Sequence, residues 1–385
     1  MIGLREVYAG LIVVTLGCYR PTFREGVSCG AEGECPTGQV CRNGECRSPS
    51  KIPDANPDNC PNPTALMFTP TNFDVCDIPA EPPALELTTL TPIDTDAGTI
   101  AGEPGGIILE QDGGPEIMLV AARSFSLASG IFIDVTGSRP LVLVSLQDMN
   151  IDGVILSAGN LSNAGAEIDN GSGVALEQCG AGVGANGVAD GSVFTGGGGG
   201  GFGAVGGIGA GLPAMVTVAG GEENGAATVV PLRGGCPGGL GGGPRGGAPG
   251  GGGGAIQLVA AGTITLGELG QINVAGGAGR GGGSQGAGVI TSSGGGGGGS
   301  GGAVLIEAGL GITISTGAII TTAGGGGGGG AYDAAAGGDG SNGGTNGAGA
   351  GGAGAIVVAT TSEGGNGGIG GGLDPVAGSD GASGI

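Results

Sequence analysis

The chain has 385 residues, of which 103 are glycine, and a formal net charge of −22. It contains no histidine, so the most frequent general base and metal ligand of proteins is missing. Lys and Arg together number 11, and none follows Arg280. We therefore do not expect the protein to bind nucleic acid, because such binding requires clustered basic residues facing the phosphates.

A short apolar run, residues 7–16, precedes Cys18. It is too short to span a bilayer as a mature helix, but it suits the apolar core of a signal peptide. The stretch Thr15-Leu16-Gly17-Cys18 resembles a bacterial lipobox, although Thr15 stands where that family usually has Leu. The resemblance implies cleavage after residue 17, lipidation of Cys18 (including palmitate), and sorting to the outer membrane of a Gram-negative cell. The alternative is a buried or disulfide-bonded Cys18.

The cysteine count agrees with export to an oxidising compartment. Nine cysteines less Cys18 leave eight, enough for four disulfides. The first four are separated by Gly and Pro turn residues and resemble the EGF-like or knottin-like modules of bacterial surface lipoproteins: Cys29, Cys35, Cys41 and Cys46. Within that module we expect Cys29–Cys41 and Cys35–Cys46, although sequence alone allows three pairings. Zinc binding is the alternative, but the spacing lacks a Cys-x2-Cys knuckle.

The remaining four cysteines predict two further disulfides. Cys60 and Cys76 are expected to close a loop after a Pro-rich linker, and Cys179 and Cys236 to close a long Gly-rich insertion. The predicted domains are a signal peptide (1–17), the lipidated disulfide-rich module (18–47), a Pro-rich linker and cap (48–84), a Gly-rich β-helix (85–361) and a Gly-rich tail (362–385).

The fold prediction depends on pairs of apolar residues that recur every eight positions. Three pairs make a unit of about 24 residues, which is the length of one turn of a parallel β-helix with three short strands. The sequence therefore predicts an all-β, right-handed parallel β-helix or solenoid with long Gly-rich insertions. An antiparallel β-sandwich is the alternative, but it does not explain the recurrence at 24. The pairs taken to point inward are Ile117/Leu119, Phe125/Leu127, Ile133/Val135, Leu141/Leu143, Met149/Ile151, Ile256/Leu258, Ile264/Leu266, Ile272/Val274, Val304/Ile306 and Ile312/Ile314. Ile320 completes the turn that begins at Val304, and a further turn begins near Ile356.

Four uninterrupted glycine runs lie in the insertions: Gly196–Gly201, Gly250–Gly254, Gly294–Gly299 and Gly324–Gly330. This part resembles the polyglycine-II layers of some Gly-rich adhesins and antifreeze proteins. We expect stacking to bring the runs together, and we hypothesise that the insertions cover an apolar outer face. Loose loops are the alternative. The residues assigned to that face are Met118, Val120, Val142, Val144 and Val259.

A row of small polar residues is the candidate ligand face. Small hydroxyl and amide groups on neighbouring strands suit binding of glycan hydroxyls or of ice, although such residues are also common on any exposed strand. The row comprises Ser124, Ser126, Asp148, Asn150, Thr263, Thr265 and Thr313.

Two chemical alternatives are weaker. A polysaccharide lyase or hydrolase needs clustered carboxylates, and the candidates here are Asp134, Asp148 and Asp152 with Arg123 and Arg139, but no strand presents two acids at i and i+2. Residues 337–342 resemble a single calcium-binding nonapeptide unit, but the pattern lacks its buried apolar residue and does not recur.

The sequence therefore predicts a non-enzymatic, lipid-anchored cell-surface protein. Adhesion, extracellular-matrix contact or envelope structure is the expected role, with a polysaccharide or a surface protein as partner and no catalytic residues. No cofactor or metal is expected, Ca²⁺ being the only one considered. The alternative function is a polysaccharide lyase or hydrolase on the same scaffold.

Overall fold

The structure is a computed structural model. It describes residues 60–353 except 62, 162–167, 191–192, 213–215, 285–291, 333–334 and 345–346, together with the strand residues 27–28, 40–42 and 45–47. The chain divides into two compact units, Met1–Asn59 and Cys60–Ile385.

The first unit contains a small antiparallel sheet. Its strands are β1 (Val27–Ser28), β2 (Val40–Arg42) and β3 (Glu45–Arg47), in the order β1-β3-β2. The backbones of Cys41 and Cys46 lie opposite each other on β2 and β3. Cys18, Cys29 and Cys35, and the side chains of Cys41 and Cys46, lie outside the described residues. Lipidation and the disulfide pairing of this unit therefore stay predictions.

The second unit is mostly β. Its first strands are β4 (Leu85–Leu87), β5 (Thr91–Asp94), β6 (Thr99–Ile100), β7 (Glu103–Pro104), β8 (Ile107–Leu109), β9 (Ile117–Ala122), β10 (Phe125–Leu127), β11 (Phe132–Thr136), β12 (Leu141–Ser145), β13 (Met149–Ile151) and β14 (Val154–Leu156). A long insertion follows, with β15 (Ala189–Asp190), β16 (Val193–Thr195), β17 (Gly209–Leu212), β18 (Thr217–Val218) and one short helix, α1 (Leu176–Cys179). The last strands are β19 (Ala255–Ala260), β20 (Thr263–Leu266), β21 (Gln271–Asn273), β22 (Ala303–Ala308), β23 (Gly311–Ile314) and β24 (Ile319–Thr321).

The chain visits three sheets in rotation. Sheet 1 has the order β22-β19-β12-β9-β8, sheet 2 the order β23-β20-β13-β10-β4, and sheet 3 the order β24-β21-β14-β11-β5-β6-β7. Corresponding strands of successive triplets pair in parallel. Among the described strands, antiparallel pairing joins β5–β6–β7 and β8–β9 in these sheets and β15–β18 in the insertion. The sheets are therefore mixed, but the repeats themselves do not pair as an antiparallel sandwich would.

The predicted register is confirmed in sheet 2 and wrong at β9 of sheet 1. Phe125 pairs with Met149, 24 residues later, as the repeat requires. Leu141, however, pairs with Met118 rather than Ile117. The link from β9 to β10 has two residues, whereas the link from β12 to β13 has three. The missing residue shifts β9 by one position, and a shift of one exchanges the two faces of a strand.

The inward residues form one aliphatic core between the three sheets. Met118 and Val120 belong to this core, so Ile117 and Leu119 face outward, the reverse of the prediction. Each fully buried side chain of this size contributes about 1.5–3 kcal/mol through burial. The buried members are Leu87, Ile93, Met118, Val120, Phe125, Leu127, Ile133, Val135, Leu141, Leu143, Met149, Ile151, Ile155, Ile256, Leu258, Ala260, Ile264, Leu266, Ile272 and Val274.

The outer face of sheet 1 is also apolar, and a second core covers it. Its cover is residues 60–78, which we call the strap, and the strap contributes the buried side chains of Leu66 and Ile78. The strand β8 and Leu232 of the long insertion also pack there. The strap therefore lies along the outer side of sheet 1.

The Gly-rich insertions all leave from the same place in the triplet. Residues 157–254 follow β14, residues 274–302 follow β21, and the segment from 322 follows β24, so each begins at the end of a sheet 3 strand. Parallel stacking therefore places the insertions side by side.

The glycine runs are ordered by hydrogen bonds that recur every third residue. The amides of Gly294, Gly297 and Ser300 donate to the carbonyls of Gly242, Gly239 and Cys236 at 2.7, 2.9 and 3.0 Å. The amides of Gly296, Gly299 and Gly302 donate in the same way to Arg280, Gly277 and Val274. An extended helix with three residues per turn has no internal hydrogen bonds, so each face of it bonds to a different neighbour.

The four runs meet around Gly294–Gly299. Its carbonyls accept from Gly197 and Gly200 of the first run, from Gly250 of the second and from Gly325 and Gly328 of the fourth. The runs thus come together as expected and take the hydrogen-bonding pattern of polyglycine II. The hypothesis that the insertions cover the apolar outer face is confirmed only in part. The glycine runs pack on one another, and the face is covered by the strap together with Leu232, Phe202 and Val229 of the long insertion.

Gly297→Ala is expected to destabilise the second unit by about 3 kcal/mol, the upper end for overpacking. A Cβ on Gly297 would overlap the carbonyl oxygen of Gly198, a backbone atom that cannot rotate away. Urea unfolding followed by circular dichroism measures the change. Gly203→Ala is the matched control, because an added Cβ there meets nothing within 4 Å. Equal stability of the two variants would contradict the close backbone packing.

Candidate functional site

The outer face of sheet 2 carries two columns of polar residues. The inner side of each strand is apolar, so alternation turns the residues between outward. Glu86, Ser126, Asn150, Thr265 and Thr313 lie in register across the five strands. Adjacent strands are about 4.7–4.9 Å apart, so the column presents one polar group at that interval. The structure thus aligns four of the predicted face residues, Ser126, Asn150, Thr265 and Thr313.

The second column lies two residues earlier on the same strands or in the links before them. Thr263 pairs with Gly311, so this column has no side chain at its last position. Ser124 and Asp148 occupy the links before β10 and β13. The Asp148 carboxylate accepts a hydrogen bond from the Thr263 amide at 2.8 Å, which ties two successive triplets together.

The side chains of the first column are available to a ligand. Glu86, Asn150 and Thr313 are exposed, and Ser126 and Thr265 are half-buried. Within the described part of the chain, none of these five side chains makes a hydrogen bond to the protein. Their donors and acceptors are therefore satisfied by solvent in the free protein.

Glu86 was not among the predicted face residues. It stands between Leu85 and Leu87 as Ser126 stands between Phe125 and Leu127, and it pairs directly with Ser126. The alternation of apolar and polar residues at Leu85, Glu86 and Leu87 was the signal in the sequence that could have identified Glu86.

The charged residues considered for catalysis do not lie on a single sheet, although Asp148 and Asp152 flank β13 and Arg123 precedes β10 of sheet 2. Asp134 faces outward on β11 of sheet 3, whereas Asp148 lies beside sheet 2. Arg139 forms ion pairs with Glu116 at 2.7 Å and Asp96 at 3.4 Å. Asp148 and Arg139 thus have structural contacts.

The calcium-like segment is part of the glycine packing. Asp339 Oδ1 accepts from the Gly281 amide at 2.9 Å, and Asn342 Oδ1 accepts from the Ala278 amide at 2.7 Å. These oxygens replace main-chain carbonyls in the hydrogen-bond pattern. Among the described residues, no group of three or more Cys, Asp or Glu side chains is arranged to hold a metal ion.

Two disulfides are present in the second unit, Cys60–Cys76 and Cys179–Cys236, as the sequence predicted. Cys179 and Cys236 are buried with Val174, and the amide of Cys236 donates to Ser300 Oγ at 2.7 Å. This bond therefore fixes the long insertion beside the glycine packing. The Cys60–Cys76 disulfide joins the first residue of the strap to a residue near its end.

A polar network that the sequence did not reveal holds the strap to sheet 1. Glu307 of β22 accepts from Thr71 Oγ1 and from Gln257 Nε2, both at 2.6 Å, and from the Thr71 amide at 3.2 Å. Gln257 is fully buried and also bonds to the Thr71 carbonyl at 2.7 Å and to Asn72 Nδ2 at 3.1 Å. Polar residues at outward positions of β19 and β22, where β12 has Val142 and Val144, were the available signal.

Asp77, the last residue but one of the strap, lies in an unfavourable environment for a charge. Its carboxylate accepts from the Asp74 amide at 2.9 Å in a capping box around residues 75–77. Burial, with a smaller contribution from the neighbouring Asp74 charge, raises the pKa of Asp77 above 3.8.

Comparison of the chain with protein-family models, curated proteins and solved structures gives no match. In the part of the chain that the structure describes, no helix combines the length and apolar composition needed to cross a membrane.

Asp77→Asn is expected to raise the stability of the second unit at pH 7. A raised pKa means that the folded state binds the proton more tightly, so this group's contribution to stability falls as pH rises above 3.8. Asn removes the charge and keeps an oxygen that can accept from Asp74. Urea midpoints at pH 7 should be higher for the variant, and the difference should shrink toward pH 3.8. Glu223→Gln, at an exposed carboxylate, is the control. A variant less stable at pH 7 would contradict the assignment.

Proposed function

We propose that this protein is a non-enzymatic adhesive module of the bacterial outer membrane or cell surface, whose second unit is a right-handed parallel β-helix. Parallel pairing in register between successive triplets supports the β-helix. A right-handed crossover is the usual hand for parallel strands joined in one sheet. The glycine insertions stiffen one edge of this body.

The single observation that carries the function is the polar column on sheet 2. A row of free hydroxyl, amide and carboxylate groups at a constant spacing complements a polymer that repeats its own hydroxyl groups. A hydroxyl-rich polysaccharide is therefore the proposed partner. The net charge of −22 disfavours strongly anionic polymers.

The proposed tether is the lipid on Cys18. The lipobox-like sequence, the even cysteine number that remains and the disulfides of the second unit all suit an exported protein. The Pro-rich composition of the segment before Cys60 is typical of a spacer.

The alternative of a polysaccharide lyase or hydrolase has less support. Asp134 and Asp148 belong to different sheets, and Arg139 is held by two carboxylates. A surface that grips a polymer without cutting it needs no such cluster.

Replacing Thr265 and Thr313 by Val is expected to weaken polysaccharide binding about tenfold. Each substitution keeps the shape and strand preference but removes a hydroxyl, and two lost hydrogen bonds are worth about 1–3 kcal/mol. Binding is measured with residues 19–385 on immobilised microbial and plant polysaccharides, with and without Ca²⁺, while new chain ends are assayed in the same samples.

Thr136→Val is the matched control, because Thr136 is an exposed strand residue on sheet 3. Equal loss in the control would remove sheet 2 as the binding face. New chain ends would overturn the non-enzymatic proposal and make Asp134, Asp148, Asp152 and Arg123 the residues to test.

Cys18→Ala is expected to move the protein from the membrane fraction to the soluble fraction. Without the thiol no lipid is attached, and incorporation of a labelled palmitate analogue should be lost at the same time. Tyr19→Phe is the control for disturbance of the processing site. A Cys18→Ala protein that stays in the membrane fraction would rule out the lipid tether.

A further inference from the structure

The strap is the first part of the second unit that a pull on the N-terminus reaches. The chain enters this unit at Cys60, and the strap then runs along the apolar outer face of sheet 1 before β4 begins at Leu85. Because the proposed function tethers the protein by its N-terminus and binds a polymer through sheet 2, tension between tether and polymer enters at Cys60.

The contacts of the strap are poorly placed to resist such a pull. The strap forms no strand, so its hold on the body consists of side-chain burial, chiefly Leu66 and Ile78, and the hydrogen bonds of Thr71 and Asn72. Contacts of this kind along an N-terminal segment open one after another when the segment is pulled from its end. Opening would uncover Ile117, Val142, Val144 and Val259.

We infer that the Cys60–Cys76 disulfide is a tension bypass that protects the docked strap of a tethered protein. The bond joins the entry residue directly to Cys76, so load passes from Cys60 to Cys76 and residues 61–75 carry none. Load then reaches Ile78, which is fully buried, and β4, which pairs in register with β10. The inference rests on the proposed N-terminal tether. It implies that the Glu307 network holds the strap in place without tension and carries no load while the disulfide is intact.

Single-molecule force spectroscopy tests this on the full chain held by handles at its two ends, with Cys18→Ala in every chain to avoid lipid. Replacing both Cys60 and Cys76 by Ser is expected to add an opening of about 5 nm at a force below that of every other event. The two cysteines are 16 residues apart, which corresponds to that length of extended chain. Replacing both Cys179 and Cys236 by Ser is the matched control and should add no early event of that length.

Glu307→Gln distinguishes the contribution of the Glu307 network from that of the Cys60–Cys76 disulfide. In the chain with the disulfide it should leave the first event unchanged, and in the chain without Cys60 and Cys76 it should lower the force of the 5 nm opening. Reducing the parent chain with dithiothreitol after it is trapped should produce the same opening, which keeps the test independent of how the double variant folds.

Absence of an early 5 nm event in both the double variant and the reduced parent would overturn the inference, because the strap would then resist load by itself. A shift of the first event by Glu307→Gln in the intact chain would overturn it too. Failure of the proposed function is read separately, in the unloaded polysaccharide assay.

Discussion

The close approach of bare backbones is the constraint on which the second unit depends. Around Gly294–Gly299, neighbouring segments are so near that a Cβ would occupy the place of a carbonyl oxygen. Backbone amides and carbonyls then satisfy one another directly, every third residue, in a region almost without side chains. Ordering glycine is entropically costly, and the dense hydrogen bonding of several runs at once offsets that cost. One run alone could not be ordered in this way.

The parallel sheets make that gathering possible. Each long insertion leaves after a sheet 3 strand, so stacking the triplets brings the glycine segments to the same edge. The disulfide Cys179–Cys236 and the hydrogen bond from Cys236 to Ser300 join the longest insertion to its neighbours. The sheets and the glycine packing are therefore two parts of one stack. The outer face of sheet 1 is covered chiefly by the strap, whereas the outer face of sheet 2 carries the polar column.

Much of the fold was predictable because short strands with one buried side leave a clear period in the sequence. Phe125, Met149 and Ile264 were assigned to the core correctly, and the pairings Cys60–Cys76 and Cys179–Cys236 were anticipated. The face of β9 was assigned wrongly because both of its faces are apolar. Met118 and Ile117 are equally buried, so hydrophobicity alone could not tell which belongs to the inner core. Part of the candidate site was also predictable, because the alternation of inward and outward residues places Ser126, Asn150, Thr265 and Thr313 on the outer face of sheet 2.

The sequence by itself determined the period of the strands and the polar residues available on sheet 2. Those properties are local, since each depends on spacing along the chain. Only the tertiary structure decided which layer covers sheet 1, that Thr71 bonds to Glu307 across 236 residues, and which glycine amide bonds to which carbonyl among the runs. These contacts join distant parts of the chain. The strand repeat predicted that the runs meet, but glycine has no side chain whose pattern could fix the register between them.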